Sequence, residues 1–266
     1  MQLISGIVLG ILISLLAWKL GSLSRSGAVA AAVTGGLIFG LGGLPWAALL
    51  LTFFISSSAL SMAFRQRKAA VSEKFSKGSR RDWGQVLANG GVGTVFVVLS
   101  FLDARHADLW WFAYAGAMAT VNADTWATEL GVLSPRFPRR ITDGRRVEPG
   151  TSGAISLYGT LATLGGAALI GLAGLVFTSG GSRWLFLTAA TLGGVGGSLF
   201  DSLLGATVQS LYHCPQCEKE TERHPVHTCG AETTPLRGWR WLNNDWVNAL
   251  AALFGALITV ALVVML

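Results

Sequence analysis

Eight mostly apolar stretches divide the chain: Leu3–Leu20, Gly27–Gly43, Pro45–Phe64, Val86–Leu102, Leu109–Leu130, Ala154–Phe177, Trp184–Leu211 and Trp246–Leu266. Each approaches the ~20 residues that an α-helix needs to cross a bilayer. The pattern predicts an all-α, polytopic membrane bundle of eight transmembrane helices, a single domain over residues 1–266. One long polar insertion, residues 213–240, precedes the last helix. Met1-Gln2-Leu3 has no basic segment and no Ala-x-Ala site follows, so the first stretch reads as a retained helix rather than a cleaved signal.

Charge then orients this bundle. Only 13% of the 266 residues are charged, against about a quarter in soluble domains. Of the 20 Lys and Arg, 18 fall in odd-numbered connections. The third connection alone holds Arg65, Arg67, Lys68, Lys74, Lys77, Arg80 and Arg81, whereas the even connections hold Arg105 and Arg183. The positive-inside rule makes the odd connections cytoplasmic and puts both termini outside, as in a bacterial inner membrane. The net charge of +6 therefore sets topology and meets anionic headgroups or phosphorylated ligands. It does not indicate nucleic-acid binding. The 34 glycines read as helix-packing contacts that would permit a homodimer. No strand or Gly-Lys-Ser/Thr accompanies them as in a phosphate-binding loop.

With this orientation, the even-numbered helices start at the cytosol with their positive dipole ends. Their openings carry Ser24 and Ser26; Ser79 and Asp82; Thr151 and Ser152; and Asn243, Asn244 and Asp245. Such residues are ordinary N-caps, and beside Arg and Lys they also suit phosphates.

Three acids fall inside apolar stretches. Asp124 and Glu129 lie in the last turns of the fifth, and Asp201 lies about ten residues inside the expected end of the seventh. An Asp at membrane depth costs roughly 2.5–3.5 kcal/mol on insertion scales, so it needs partners or a wet cavity. Structural hydrogen bonding and proton relay are open readings. With Asp245 at the same face, a Mg²⁺ site is another, because Mg²⁺ takes one or two carboxylates and completes its shell with water and phosphates. Asp124 and Glu129 are about 140° apart around a helix, which assigns Glu129 to a different part of any shared site.

All three cysteines lie in the insertion, as Cys214-Pro215-Gln216-Cys217 and Cys229, with His227 two residues before the last. A cytoplasmic loop is reducing and disfavours disulfides. Three thiolates and an imidazole suit tetrahedral structural Zn²⁺, and free thiols are the alternative.

Five stretches carry a family resemblance: Arg81-Asp82-Trp83-Gly84-Gln85-Val86-Leu87-Ala88-Asn89-Gly90-Gly91; Asn122-Ala123-Asp124-Thr125-Trp126-Ala127-Thr128-Glu129-Leu130-Gly131; Thr142-Asp143-Gly144 through Gly150-Thr151-Ser152-Gly153-Ala154-Ile155-Ser156; Gly197-Ser198-Leu199-Phe200-Asp201-Ser202-Leu203-Leu204-Gly205-Ala206; and Asn243-Asn244-Asp245-Trp246-Val247-Asn248. In order and over the whole chain they resemble the membrane family that contains the plant phytyl-phosphate kinase and human transmembrane protein nineteen. The resemblance implies Mg²⁺-dependent transfer of a phosphoryl group from a nucleoside triphosphate, CTP or similar, to an isoprenoid monophosphate. Asp124, Glu129, Asp201 and Asp245 are then the candidates to hold Mg²⁺ and orient the donor. Lys77, Arg81, Arg145 and Arg146, with the helix starts near Ser152 and Asn244, are the candidates for phosphate. Asn89 and Asn122 join them from within the matching stretches. Cytidylyl transfer to a lipid phosphate would use the same parts. A transporter coupled through Asp124 and Asp201 is the competing class, and it would need polar groups along a whole transmembrane path.

Overall fold

The protein is described by a computed structural model covering residues 1–64, 66, 74–75, 77–78, 80–178 and 182–265. Arg65, Arg67, Lys68, Ser79 and Leu266 of the sequence reading lie outside the described residues. Eight long helices form among those described. They are α1 (Gln2–Lys19), α2 (Arg25–Gly42), α3 (Leu44–Ala63), α4 (Trp83–Leu102), α5 (Ala107–Gly131), α6 (Leu157–Leu175), α7 (Ser182–Thr207) and α8 (Asn244–Met265). The last turn of α2, Ile38–Gly42, widens into a π-helix.

Three boundaries depart from the apolar pattern. Helix α4 starts at Trp83, before Val86, because Asp82 caps it. The Asp82 side chain accepts from Gln85 N at 2.9 Å while the Gln85 side chain accepts from Asp82 N at 3.2 Å. Helix α6 starts at Leu157 behind its N-cap Ser156. Ala154–Ile155 instead forms β2, antiparallel to β1 (Arg139–Arg140). Helix α7 ends at Thr207 rather than Leu211, since Leu211–Cys214 begins β3. Strands β3, β4 (Lys219–Thr221) and β5 (Thr234–Arg237) make an antiparallel sheet in the order β4-β3-β5, which gives the insertion a fold of its own.

Six helices are long and apolar enough to cross a membrane, and α5 and α7 fall short of that measure. These two carry Asp124, Glu129 and Asp201. They still belong to the bundle, because their neighbours cover them. Helix α5 is buried without interruption from Phe112 to Ala123, packed against α3, α4, α6, α7 and α8. Lipid offers no hydrophobic drive between helices, so such contact depends on small residues that admit close backbones. A Cβ on Gly194 would fall 2.7 Å from Ala119 Cβ and 2.8 Å from Ala167 Cβ, and one on Gly166 would fall 3.1 Å from Ala123 Cα. Buried hydroxyls are satisfied locally: Thr120 Oγ1 donates to Gly116 O at 2.9 Å and Thr259 Oγ1 to Gly255 O at 2.9 Å.

The odd connections gather at one end. Ser24 N donates to Arg81 O at 3.0 Å, Lys74 pairs with Glu148 at 2.7 Å, and Glu222 N donates to Lys74 O at 2.9 Å. At the opposite end Trp111 Nε1 donates to Thr178 Oγ1 at 3.4 Å, and its ring lies 5.3 Å from that of Trp46. The basic connections therefore share one face, the one that the positive-inside rule assigns to the cytoplasm.

Gly194→Leu is expected to destabilise the protein by about 1–3 kcal/mol or more, read as a lower thermal unfolding temperature in detergent. Gly91→Ala, whose Cβ would meet only Leu87 Cβ at 3.9 Å, should unfold no earlier than the parent.

Candidate functional site

At the end where the basic connections meet, a cavity of about 480 Å³ opens between α3, α4, α5, α6, α7, α8 and the loops. Of the sequence candidates, Asp124, Glu129, Asp201, Lys77, Arg81, Asn89, Ser152 and Asn244 line it. The acids do not lie deep. Because α7 stops at Thr207, Asp201 is six residues from its end rather than about ten. Asp124 is seven from the end of α5, so both sit roughly 10 Å in.

Arg81 is held from every side. Its backbone joins the first connection through Ser22 O and Ser24 N. Its guanidinium donates to Ser57 Oγ at 2.8 Å and Ser58 Oγ at 3.2 Å, and lies 5.3 Å and 5.6 Å from the Phe53 and Phe54 ring centroids. Burial lowers its pKa to about 10, while the Glu129 charge opposes that shift; the group stays cationic at neutral pH. Lys77 bridges Asp82, at 3.0 Å, and Asp245. Burial works against its charge, but the two hydrogen bonds outweigh it and raise its pKa. Gly84 makes room for this bridge, since a Cβ there would lie 2.9 Å from Lys77 Nζ.

The acids occupy separate walls. Glu129 accepts from Ser61 Oγ at 2.7 Å and faces Arg81. Asp201 shares its surroundings with Asp124 and with Glu222, whose charges act on it. Among the described residues its Oδ2 is buried without a hydrogen-bond partner. Glu222 comes from the end of the three-stranded insertion and is held there by the buried Gln209. Gln209 Nε2 donates to Glu222 Oε1 at 2.9 Å, and Ser152 Oγ donates to Gln209 Oε1 at 2.9 Å. An arrangement of two or three carboxylates facing fixed cations can bind a polyphosphate together with a divalent ion.

Four candidates are not among the residues lining this cavity. Asp245 stands behind it, engaged by Lys77. Asn122 is buried in the core, where it accepts from Ser56 Oγ at 3.0 Å and donates to Gly166 O at 2.8 Å. Arg145 and Arg146 are exposed. The turn at Asp143-Gly144, with Gly144 at φ 67° and Asp143 accepting from Arg145 N, folds them into the β1 hairpin. Arg136 and Arg223 line the cavity in their place. Sequence reading also missed Ser57, Ser58, Ser61, Gln209 and Glu222. The Ser56-Ser57-Ser58 run inside an apolar helix was a usable signal. Glu222 had none, being one loop acid among several.

The insertion brings Cys214, Cys217, His227 and Cys229 together, all four ligand atoms within 4.8 Å of one another. The Cys214–Cys229 sulfurs are 3.5 Å apart and His227 Nδ1 lies 3.4 Å from Cys229 Sγ. A disulfide would need about 2.05 Å, so the group can hold a metal ion. The protein is expected to retain one tightly bound metal ion per chain through purification. Cys217→Ser should lose it, as read by elemental mass spectrometry.

The chain matches, over residues 8–256, a family model described as "Integral membrane protein DUF92". Protein PGR of Arabidopsis thaliana is 33% identical over 97% of this chain and 95% of its own length. An uncharacterized membrane protein of Methanocaldococcus jannaschii is 31% identical over 97% and 93%. Protein VTE6, chloroplastic, of Arabidopsis thaliana is 26% identical over 93% and 69%. No solved structure matches the chain significantly. A match across nearly the whole bundle, with relatives aligned over almost their full lengths, places the protein in the DUF92 family of integral membrane proteins.

Proposed function

We propose that the protein is a membrane-embedded lipid kinase. It transfers the γ-phosphoryl group of a nucleoside triphosphate, CTP or a similar nucleotide, to an isoprenoid monophosphate at the cytoplasmic face. The observation that carries this reading is a cavity at the end of an apolar bundle that pairs Asp124, Glu129, Asp201 and Glu222 with Lys77, Arg81, Arg136 and Arg223. Only a ligand with both phosphate charge and a hydrocarbon tail uses such surroundings fully. The resemblance to the family of the plant phytyl-phosphate kinase supports the same reaction. Transport is disfavoured, because the described residues at the opposite end present aromatic packing around Trp46, Trp111 and Tyr114.

In the proposed reaction an acceptor phosphate oxygen forms a bond to the γ-phosphorus. The bond from that phosphorus to the β,γ-bridging oxygen breaks, and the nucleoside diphosphate leaves with the electron pair. The acceptor is already an anion, so no general base is required. Catalysis then rests on positioning and charge stabilisation. Arg81, immobilised by two serines and two aromatic rings, offers a preset guanidinium to the phosphate oxygens. Asp245 and Asp82 hold the Lys77 ammonium in place beside it. Asp124 and Asp201 fit Mg²⁺, since Asp201 Oδ2 has no hydrogen-bond partner among the described residues and Mg²⁺ needs few protein ligands; when bound, the ion would neutralise donor phosphate charge. The Cys214, Cys217, His227 and Cys229 cluster, its ligand atoms all within 4.8 Å of one another, would hold structural Zn²⁺ through three thiolates and an imidazole.

Purified protein in lipid nanodiscs, given Mg²⁺, a prenyl monophosphate and γ-labelled nucleotide, is expected to place the label on the lipid. Asp201→Asn should lower kcat by at least about 100-fold, on the order of 3 kcal/mol. A variant working at the parental rate sinks the role of Asp201. Release of labelled pyrophosphate with the nucleotide joined to lipid would identify a cytidylyltransferase instead.

A further inference from the structure

A second cavity, of about 80 Å³, lies inside the bundle between α1, α2, α3 and α4. Its walls are apolar and include Ala17, Leu23, Phe39, Leu50, Phe53 and Phe54. The two hydroxyls on its lining make no demand on an occupant, because Ser14 Oγ donates to Gly10 O at 2.7 Å and Thr34 Oγ1 to Ala30 O at 2.9 Å. Gly90 also lines it and is buried, yet among the described residues no atom beyond its own turn of helix lies within 4 Å of where its Cβ would stand. Buried glycine elsewhere in this bundle marks tight contact; here it faces empty space. Gly35, across the cavity on α2, has only Leu50 Cδ2 at 4.0 Å.

Arg81, Gln85 and Asn89 line both this cavity and the polar one. Arg81 shows how the two meet. Its guanidinium rests on Phe53 and Phe54 of the apolar wall and turns its charge toward Glu129 of the polar wall. A molecule spanning this boundary has an anionic head and a hydrocarbon body.

We infer that the small cavity receives the headgroup-proximal part of the hydrocarbon tail of a lipid monophosphate whose phosphate occupies the polar cavity. This rests on the lipid-phosphate reading above and adds where the tail enters, between α1–α3 and α4. A cavity of this size takes only the first carbons of a chain, since one water already claims about 30 Å³ of liquid volume. It therefore selects the branching and width of the tail next to the phosphate, and the remainder of the chain lies outside it.

The test uses a prenyl monophosphate carrying a photoactivatable diazirine near its phosphate end, with nanodisc-embedded protein and peptide mass spectrometry. Labels are expected on the cavity-facing residues of α1–α4. They should fall at least tenfold in Gly90→Leu and in Gly35→Leu, whose side chains would fill the cavity from opposite walls, while Mg²⁺-nucleotide binding stays as in the parent. Labels on other helices, or labelling unchanged in both variants, overturn the tail site. Diphosphate formation alongside labels elsewhere would sink this site and leave the kinase reading standing. Labels at α1–α4 without any diphosphate would keep the site and sink the kinase reading.

Discussion

Everything at the end where the basic connections meet depends on how closely the other helices approach α5. That helix carries two of the three acids of the apolar stretches, Asp124 and Glu129, and is too polar to qualify as a span by its own composition. It is kept in the bundle by the small residues around it. Gly166 meets it near Asn122 and Ala123, Gly194 near Ala119, and Gly255 near Thr120. With no lipid against its middle, its acids need only emerge where the bundle opens to water. They lie within roughly 10 Å of the helix end, where the bundle opens to the polar cavity.

The same packing decides which cations can help. Arg81 is fixed because the first connection hydrogen-bonds its backbone and α3 supplies Ser57 and Ser58 to its side chain. Gly27 permits the first of these, since a Cβ there would meet the Arg81 carbonyl. Lys77 is fixed through Asp82 and Asp245 from two different helix starts. The insertion closes another side with Glu222 and Arg223, anchored through Gln209 to Ser152. Its Cys/His cluster joins the end of β3, through Cys214, to the turns that follow β3 and β4, in the same insertion as those two residues.

Much of this architecture was legible in the chain. Apolar stretches and the one-sided distribution of Lys and Arg gave eight helices and the shared face of the odd connections, because both signals act over tens of residues. The four cluster ligands were legible too, since their spacing is local. Boundaries were less so. Nothing in the composition of Leu211 says that it leaves α7 for β3, and Asp82 moves the start of α4 by capping rather than by hydropathy. The cavity's membership was least legible. Arg145 and Arg146 look like phosphate ligands until the Asp143-Gly144 turn carries them outward. Asn122 looks like a phosphate-binding residue until Ser56 and Gly166 O satisfy its amide. Glu222 could be placed only by the tertiary contacts of Gln209.

On the proposed reading Asp124 and Asp201 together hold a divalent cation that works on phosphate. Titration of the nanodisc-embedded protein with Mn²⁺ as a spectroscopic substitute for Mg²⁺, followed by electron paramagnetic resonance, tests it most directly. A bound-ion signal is expected that strengthens when a non-hydrolysable nucleoside triphosphate is added and disappears in Asp124→Asn/Asp201→Asn. An unchanged signal in that double variant would contradict it.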